Sequence, residues 1–347
     1  MEKFHKQLKN WVLNRLPDSH LLQDRLNLFQ LDGDAGFRRY FRVNTQPPLI
    51  AVYAPPQHEN NLAFVRVSKS FGSREINVPE IFAINFDKGF MLLQDFGDQV
   101  LQPLLNLDTV TYYYGKAEKI LLQIQQLEPD KKVYSAYDEE KLGAELELFE
   151  QWFVAELLQL NLSDTDLQLL RKLFSLLIGS ATEQPTVVVH RDYHSRNLMV
   201  ENDELCVIDF QDAVVGPITY DLVSLLKDCY IRCPTEIVEQ RSLDYKNRLE
   251  LLGLVQNTTD KKFLRWFDWM GLQRHIKVLG IFARLAIRDN KPSYLKDLPL
   301  VIDYVLEAAL RYPELSFFHS WFVQNISPRL TVMPWYPHDI DQHEQES

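Results

Sequence analysis

The chain has 347 residues, 46% of them hydrophobic and 24% charged, as is ordinary for a soluble globular protein with a large core. Its formal net charge of −11 argues against nucleic acid as the main partner, because a phosphate-binding surface is normally basic. Three cysteines, no signal-peptide core and no membrane-length apolar run predict a reduced, cytoplasmic, soluble protein without a disulfide framework. Nothing in the sequence predicts an obligate protein partner.

The first part of the chain predicts two helices followed by several strands. Residues 3–16 space apolar side chains four apart, which predicts an amphipathic helix, and a second short helix is predicted over 21–28. The remaining predictions for this part are, in order, strands over 37–43 and 49–53, a helix over 61–71, and strands over 78–83 and 89–93.

A turn-rich stretch with Gly33 and Gly36 leads into a strand that carries Arg38, Arg39 and Arg42. Glycines let backbone amides approach phosphate oxygens, and arginines can clamp phosphates, so this segment is a candidate nucleotide-covering loop. A plain glycine hairpin with a solvated strand face is the alternative. Because a strand alternates with a period of two, at most one or two of the arginines should point inward.

Beyond residue 95 the spacing of apolar residues predicts a mainly helical chain. Helices are predicted over 113–127, 142–157, 163–177 with Ser163 as N-cap, 221–226 and 261–289. Residues 212–217 are predicted as a loop and the last residues as a loosely held tail.

The stretch from 187 to 212 interrupts the helices. The apolar runs Val187–Val189, Leu198–Val200 and Leu205–Ile208 predict strands, and the polar residues Glu201–Glu204 predict a hairpin loop between the last two. The polar segments therefore lie at strand ends, where a scaffold can hold reactive groups in place.

Three side chains in that stretch suit phosphoryl transfer. The reaction needs a carboxylate that orients the attacking hydroxyl and accepts its proton, and oxygen ligands that hold Mg²⁺ on the phosphates of ATP. Asp192 suits the first task, while Asn197 and Asp209 suit the second. Each residue alone is equally an ordinary turn residue, but their joint spacing favours a kinase. The strand over 49–53 lacks the lysine that a protein kinase places there.

The motifs carry a family resemblance. His190–Leu198 with Ile208–Asp212 resembles the aminoglycoside phosphotransferase and choline kinase superfamily. Residues 33–42, 53–56, 216–222 and 267–275 are most similar to bacterial N-acetylmuramate/N-acetylglucosamine anomeric kinases of cell-wall recycling. The resemblance implies a bilobal, protein-kinase-like α+β fold. Its parts would be an antiparallel-sheet N-lobe over residues 1–95, a mainly helical C-lobe over 96–330, and a tail over 331–347.

The resemblance also implies roles for particular residues. Gln94 and Phe96 would lie at the hinge that receives adenine. His190 would brace the catalytic loop and Asp221 would anchor it, although Asp221 is equally a first-turn carboxylate favoured by a helix dipole. The resemblance implies that the missing lysine is a family trait and not a loss of activity; that an arginine of the 38–42 segment replaces it is a separate hypothesis.

The implied acceptor is the anomeric C1 hydroxyl of N-acetylmuramate, N-acetylglucosamine or both. Arg196, Asp212, Arg274 and His275 are the candidate acceptor-binding residues, with Arg274 paired to the lactyl carboxylate or, alternatively, an ordinary surface arginine. One rival function is a kinase of another acceptor, such as an aminoglycoside, choline or homoserine. The other is a catalytically inactive nucleotide-binding regulatory protein, which the missing lysine suggests.

Overall fold

The computed structural model describes residues 2–31 and 36–337. The strands in chain order are β1 (Leu21–Leu22), β2 (Leu28–Gln30), β3 (Arg39–Val43), β4 (Thr45–Gln46), β5 (Leu49–Tyr53), β6 (Ile81–Asn85), β7 (Phe90–Gln94), β8 (Ser135–Ala136), β9 (Thr186–Val189), β10 (Leu198–Glu201), β11 (Glu204–Val207) and β12 (Val214–Pro217). The helices are α1 (Glu2–Leu13), α2 (Asn61–Gly72), α3 (Val110–Gln125), α4 (Glu139–Leu148), α5 (Asp164–Thr182), α6 (Tyr220–Leu226), α7 (Thr235–Leu251), α8 (Asp260–Ile287), α9 (Leu298–Arg311), α10 (Ser316–Trp321) and α11 (Ser327–Leu330).

The chain divides into two compact units. The first comprises residues 1–135 together with 195–213, and the second comprises 136–194 together with 214–347. The first unit thus contains the hairpin of β10 and β11 as well as the N-terminal sheet. The functional division of the chain at residue 95 remains a prediction.

An antiparallel sheet in the order β2-β3-β5-β7-β6 forms the centre of the first unit. Along β3 the side chains alternate as a strand requires. Phe41 and Val43 join Leu8 and Val12 of α1 in a hydrophobic core on one face of the sheet, while Tyr40 and Arg42 point to the other face. The sheet therefore has one face sealed by a helix and one face that carries polar groups.

The hairpin of β10 and β11 is tighter than predicted. Glu201 pairs with Glu204, so Asn202 and Asp203 alone form the turn. Both have positive φ, 50° and 68°, as a two-residue turn of this kind requires, and Asn and Asp tolerate that conformation well. The predicted loop over Glu201–Glu204 was therefore too long.

The 28-residue helix α8 is the centre of the second unit. Residues 266–280 are buried on every side of the helix, which is usual for a helix that is apolar all round. Here the buried stretch also carries several polar and charged residues, namely Asp268, Gln273, Arg274, His275 and Lys277. Gly280 allows close packing, because a Cβ there would lie 2.3 Å from the carbonyl carbon of Leu148. Ser163 caps α5 as predicted, within a capping box.

Two local predictions were wrong. Residues 21–28 do not form a helix, because Leu21–Leu22 pairs with Thr45–Gln46 and Leu28–Gln30 pairs with β3. Residues 212–217 are not all loop, because Val214–Pro217 forms β12 and pairs with Thr186–Val189. In both cases a partner distant in sequence decides the structure of a short segment.

The sheet-containing N-terminal part and the helical C-terminal part confirm the predicted α+β class. Cys206, Cys229 and Cys233 are buried and form no disulfide with one another. Among the described residues, no helix combines the length and the apolar character that crossing a bilayer requires.

Candidate active site

A cleft of about 520 Å³ lies in the first unit, within the size range of small-molecule sites. Its walls include Ile50 and Leu93 of the sheet, and Phe96, Met199 and Ile208. These side chains form an apolar slot, and charged and amide groups also line the cleft. Such a combination suits a ligand with a flat apolar part and an anionic part.

Asn197 and Asp209 both line this cleft. Asn197 precedes β10 and Asp209 follows β11, and the amide of Ile208 donates to the carbonyl of Asn197 at 3.1 Å, which closes the open end of the hairpin. Asp209 has a φ of 60°, a conformation that is uncommon outside glycine and tends to occur at functional positions. Gln211 Nε2 donates to Asp209 Oδ1 at 2.6 Å.

Packing behind Asp209 fixes its position. Phe210 is buried, and its ring centroid lies 4.9 Å from that of Phe64 and 5.7 Å from that of Phe71. Both partners belong to α2, so the backbone that carries Asp209 is anchored to that helix.

The Asn197 and Asp209 pair fits a magnesium ion that arrives with a nucleotide. Carboxylate and amide oxygens are the ligands that Mg²⁺ prefers, and the ion usually takes one or two protein ligands and completes its shell with phosphates and water. Within residues 2–31 and 36–337, no group of three or more His, Cys, Asp or Glu side chains could hold a metal by itself. The donor set therefore suits a metal–nucleotide complex better than a resident ion.

The predicted nucleotide-binding arginines lie in three different environments. Arg42 lines the cleft, but its guanidinium is bound to Asp95, Asp98 and the carbonyl of Gly97. Arg39 lies on the opposite face of the sheet, 5.5 Å from the ring centroid of Phe4, so the structure does not bring it to the cleft.

Arg38 is nearly buried and pairs with Glu59 at 3.1 Å. It also lies beside Tyr40, which lines the cleft. Burial raises the pKa of Tyr40 to about 12, and the negative charge of Asp209 adds to the rise, so Tyr40 is neutral at physiological pH.

Gly33 lies outside the described residues. Gly36 lies at a bend, where an added Cβ would come no closer than 3.8 Å to another atom, so the described fold does not require a glycine there.

Gln94, Phe96 and Arg196 all line the cleft. Gln94 is the last residue of β7, and its backbone N–H donates to the backbone carbonyl of Glu80 at 2.9 Å. Arg196 Nε donates to Gln102 Oε1 at 2.9 Å. Arg196, predicted to contact the acceptor, thus lies with the predicted nucleotide-binding residues.

Asp192 belongs to the second unit, in a loop held by Asp221. The fully buried carboxylate of Asp221 accepts hydrogen bonds from the amides of His190, at 2.6 Å, and Arg191, at 3.0 Å. The amide of Asp192 in turn donates to Nδ1 of His190 at 3.3 Å. Arg191 has a φ of 80°, so the loop is in a strained conformation that these contacts maintain.

Positive charges surround Asp192. Burial acts to raise the pKa of its carboxyl, but Lys277, Arg274, His194 and Arg191 together lower that pKa to about 2. Asp192 is therefore ionised at neutral pH. The pKa of Asp221, in contrast, is raised to about 7 by burial, although its two hydrogen bonds to backbone amides oppose the rise.

Sequence reasoning missed Glu145 and Lys277. Glu145 accepts a hydrogen bond from Arg191 Nη2 at 2.5 Å and pairs with Lys277 Nζ at 3.1 Å. Lys277 also donates to the hydroxyl of Tyr220 at 3.0 Å. Lys277 lies three residues after Arg274, about one helical turn, so the two side chains share a face of the helix. This spacing could have identified Lys277 as a neighbour of Arg274. Glu145 carries no comparable signal.

The remaining predicted residues are Arg274 and His275 of the second unit and Asp212 of the first. Arg274 is 3% exposed, so its interpretation as a surface arginine was wrong. His275 is also buried, donates from Nε2 to the carbonyl of Lys227 at 3.0 Å and stacks on Tyr304. Burial lowers the pKa of His275 to about 3, so the ring is neutral. Asp212 is exposed and does not line the cleft of the first unit.

Comparison with known proteins gives consistent matches. The model of a family described as the phosphotransferase enzyme family, APH, matches residues 28–252. The chain is 39% identical to an N-acetylmuramate/N-acetylglucosamine kinase of Pseudomonas putida, over 90% of this chain and 93% of that protein. It is 37% identical to a protein of the same name from Pseudomonas aeruginosa, over 90% and 94% of the two chains.

Among solved structures, the chain is similar to aminoglycoside phosphotransferase APH(2'')-Ib with ADP bound. The TM-score is 0.56 and the identity 14%, over 88% of this chain and 98% of that one. At that identity the likeness concerns the fold alone, and it confirms the predicted kinase-like fold class.

Proposed function

Because the chain belongs to the phosphotransferase enzyme family, we propose that it transfers a phosphoryl group from ATP to the anomeric C1 hydroxyl of N-acetylmuramate and N-acetylglucosamine. The family predicted from the motifs is confirmed by that membership, and so is the class of enzyme, a phosphotransferase with an alcohol acceptor. The product would be a sugar 1-phosphate in peptidoglycan recycling. The observation that carries the proposal is the placement of Asn197 and Asp209 together on an apolar cleft of nucleotide size.

The cleft of the first unit would bind the nucleotide. Adenine would enter the apolar slot beside Gln94 and Phe96, where backbone groups after β7 can pair with its polar edge. Asn197 and Asp209 would bind Mg²⁺. When bound, the ion would neutralise charge on the phosphate oxygens. Arg38 is the best candidate to replace the missing lysine. It pairs with Glu59, but its buried Nε has no partner among the described residues. Arg42 is bound by Asp95, Asp98 and the carbonyl of Gly97, and Arg39 lies on the other face.

Asp192 would act on the acceptor. Its ionised carboxylate accepts a hydrogen bond from the acceptor hydroxyl and orients the oxygen towards the γ-phosphorus of ATP. It takes the proton as the new O–P bond forms and the bond from the γ-phosphorus to the bridging oxygen breaks, which releases ADP. With a pKa of about 2 it is a weak base, so orientation is the larger part of its role. An anomeric hydroxyl is more acidic than other sugar hydroxyls, which eases the proton transfer. Asp221 and His190 would hold this loop in place.

The charges around Asp192 disfavour some rival acceptors. Arg191 and Lys277 near Asp192 share the carboxylate of Glu145, so Arg274 is the positive charge there that forms no ion pair among the described residues. A cationic acceptor, such as an aminoglycoside or choline, would be repelled there, whereas a neutral or anionic sugar would not. The intact set of Asp192, Asn197 and Asp209 also argues against a regulatory protein without activity.

The test is ADP release with ATP and Mg²⁺ against a panel of N-acetylmuramate, N-acetylglucosamine, an aminoglycoside, choline and homoserine. We expect turnover with the amino sugars, turnover slower by about 10²- to 10⁴-fold with the Asp192→Asn variant, and a product whose ³¹P signal couples to the anomeric proton. Turnover with another acceptor would refute the acceptor assignment but keep the nucleotide site. Nucleotide binding without turnover on any acceptor would favour the regulatory alternative.

A further inference from the structure

Arg274 carries a buried positive charge that forms no ion pair among the described residues, although Asp192 and Asp228 act on it electrostatically. Its Nε donates to the hydroxyl of Ser224 at 2.6 Å, and its guanidinium carbon lies 5.9 Å from the ring centroid of Tyr220. Across the described part of the chain, no carboxylate forms an ion pair with Arg274, and its side-chain hydrogen bond is the one from Nε to Ser224. The other buried cations nearby differ, since Lys277 pairs with Glu145 and Lys227 pairs with Asp268.

A charge in this position is costly unless something compensates it. Burial of an unpaired cation is strongly unfavourable, and a protein retains one chiefly where a ligand or a nearby anion offsets the cost. The carboxylates that act on Arg274 electrostatically are Asp192 and Asp228, and Arg274 in turn lowers the pKa values of Asp192 and Asp221. Asp228 accepts the backbone amide of Tyr230 at 3.0 Å. Asp221 already binds two backbone amides, and Asp192 is assigned to the acceptor hydroxyl. Arg274 therefore lies within electrostatic range of the reacting hydroxyl with hydrogen-bonding capacity left over.

The geometry of the guanidinium defines what it can bind. Ser224 occupies Nε and itself donates to the carbonyl of Tyr220 at 3.1 Å, which fixes the serine hydroxyl. The remaining hydrogen-bonding groups of the guanidinium are then its two terminal NH₂ groups, which present parallel N–H donors. That arrangement matches the two oxygens of a carboxylate, and a lysine ammonium cannot reproduce it.

We propose that Arg274 binds the lactyl carboxylate of N-acetylmuramate and thereby sets the preference for the acidic sugar over N-acetylglucosamine. The inference rests on the proposed function. The two sugars share the ring, the acetamido group and the anomeric hydroxyl, and they differ in the lactyl ether at C3. A residue that binds this carboxylate strengthens the binding of N-acetylmuramate and not that of N-acetylglucosamine. Ser224 is then a positioning residue that directs the guanidinium.

The experiment compares kcat/KM for the two sugars in wild type and in Arg274→Gln, Arg274→Lys and Ser224→Ala. A charge-assisted contact of this kind corresponds to about 10- to 100-fold in kcat/KM. We expect the ratio of N-acetylmuramate to N-acetylglucosamine to fall by that factor in Arg274→Gln, mainly through KM. Arg274→Lys should recover part of the ratio, and Ser224→Ala should lower it by a smaller factor. Arg288→Gln, an exposed position on the same helix axis, is the matched control and should leave the ratio unchanged.

A loss of equal size on both sugars would overturn the inference, because Arg274 would then only maintain the structure around Asp192. So would an unchanged ratio in a folded Arg274→Gln variant. If Arg274→Gln does not fold, Ser224→Ala decides by the same ratio, with an equal or absent effect on the two sugars counting against the inference. A wild-type enzyme that phosphorylates neither sugar would instead refute the proposed function itself.

Discussion

The guanidinium of Arg42 binds both carboxylate oxygens of Asp95, through Nε at 2.5 Å and Nη2 at 3.1 Å. It also reaches Asp98 at 2.8 Å and the carbonyl of Gly97 at 3.1 Å, while Asp95 accepts the amide of Gly97 at 2.8 Å. These contacts fix the segment after β7, which carries Phe96 and lines the cleft. Arg42 therefore organises the base-binding part of the proposed nucleotide site and is not available as a phosphate clamp.

Replacement of Arg42 by Gln should weaken ATP binding about 10-fold and change kcat less. The variant leaves Asp95, whose side chain is 2% exposed, without its cation, so the free energy of unfolding should also fall by roughly 3 kcal/mol. Calorimetric titration with a non-hydrolysable ATP analogue and urea unfolding measure the two effects. Arg39→Gln, on the opposite face of the same strand, is the control. Equal nucleotide affinity in wild type and Arg42→Gln would contradict this role.

Arg38→Gln should affect the nucleotide in a different way. Arg38 is the proposed substitute for the missing strand lysine, so its loss should weaken the binding of ATP and ADP more than the binding of adenosine. A competition series with adenosine, ADP and ATP measures this. If the binding of adenosine weakens as much as the binding of ATP, Arg38 maintains the shape of the cleft and does not contact the phosphates.

Local spacing made part of the site predictable. Asn197 and Asp209 were identified because a hairpin joins them, and a hairpin places the two ends of a short segment together whatever surrounds it. Asp192 belongs to the same short motif. The large elements, such as α5 with its Ser163 cap and α8, also follow from local periodicity.

The features that the sequence did not predict depend on contacts between residues distant in sequence. Glu145 meets Arg191 and Lys277 only through the packing of α4 against α8, and no pattern near residue 145 indicates this. Arg274 has the residue type and spacing of an exposed position, yet α8 is buried on all sides there, so its environment depends on the helices around it. The short strands β1 and β12 have too few residues for a period to be read, and their partners determine them.

The Asp209→Asn and Asn197→Ala variants should lose metal-dependent nucleotide binding. Both side chains offer oxygen ligands on the cleft, so their loss should weaken MgATP by about 10-fold or more and metal-free ATP much less. Titration of a fluorescent ATP analogue in Mg²⁺ and in EDTA separates the two. Asp212→Asn, at an exposed position three residues beyond Asp209, is the control. A loss that is equal with and without metal would show that the two residues do not bind the ion.

The Asp192→Asn variant should lower kcat by about 10²- to 10⁴-fold and leave ATP affinity close to wild type, because the proposed partner of the lost carboxylate is the acceptor hydroxyl and not the nucleotide. With the pKa of Asp192 near 2, protonation of this group should not limit the rate above about pH 4. Rate measurements from pH 5 to 9 and nucleotide titrations check both expectations. A variant within 10-fold of wild type would exclude Asp192 as the group that activates the acceptor.

Asp221 gives a stability prediction with a definite sign. Burial raises the pKa of its carboxyl to about 7, against roughly 3.9 in an unfolded chain, so the folded protein holds this proton more tightly. Its contribution to stability is fully present below about pH 4 and is lost as the pH rises through about 7. From pH 4 to 8 the unfolding free energy of wild type should therefore fall by a few kcal/mol more than that of Asp221→Asn, on the order of the shift in pKa.

Urea unfolding of wild type and Asp221→Asn at several pH values between 4 and 8 tests this, with Asp212→Asn as the exposed control. The groups that titrate alike in both proteins cancel in the difference, so the difference curve isolates residue 221. The unfolding free energy of Asp221→Asn minus that of wild type should increase with pH and should level off above about pH 8. A difference curve that is level across this range, or that slopes the other way, would mean that the hydrogen bonds from His190 and Arg191 outweigh burial and keep Asp221 ionised throughout.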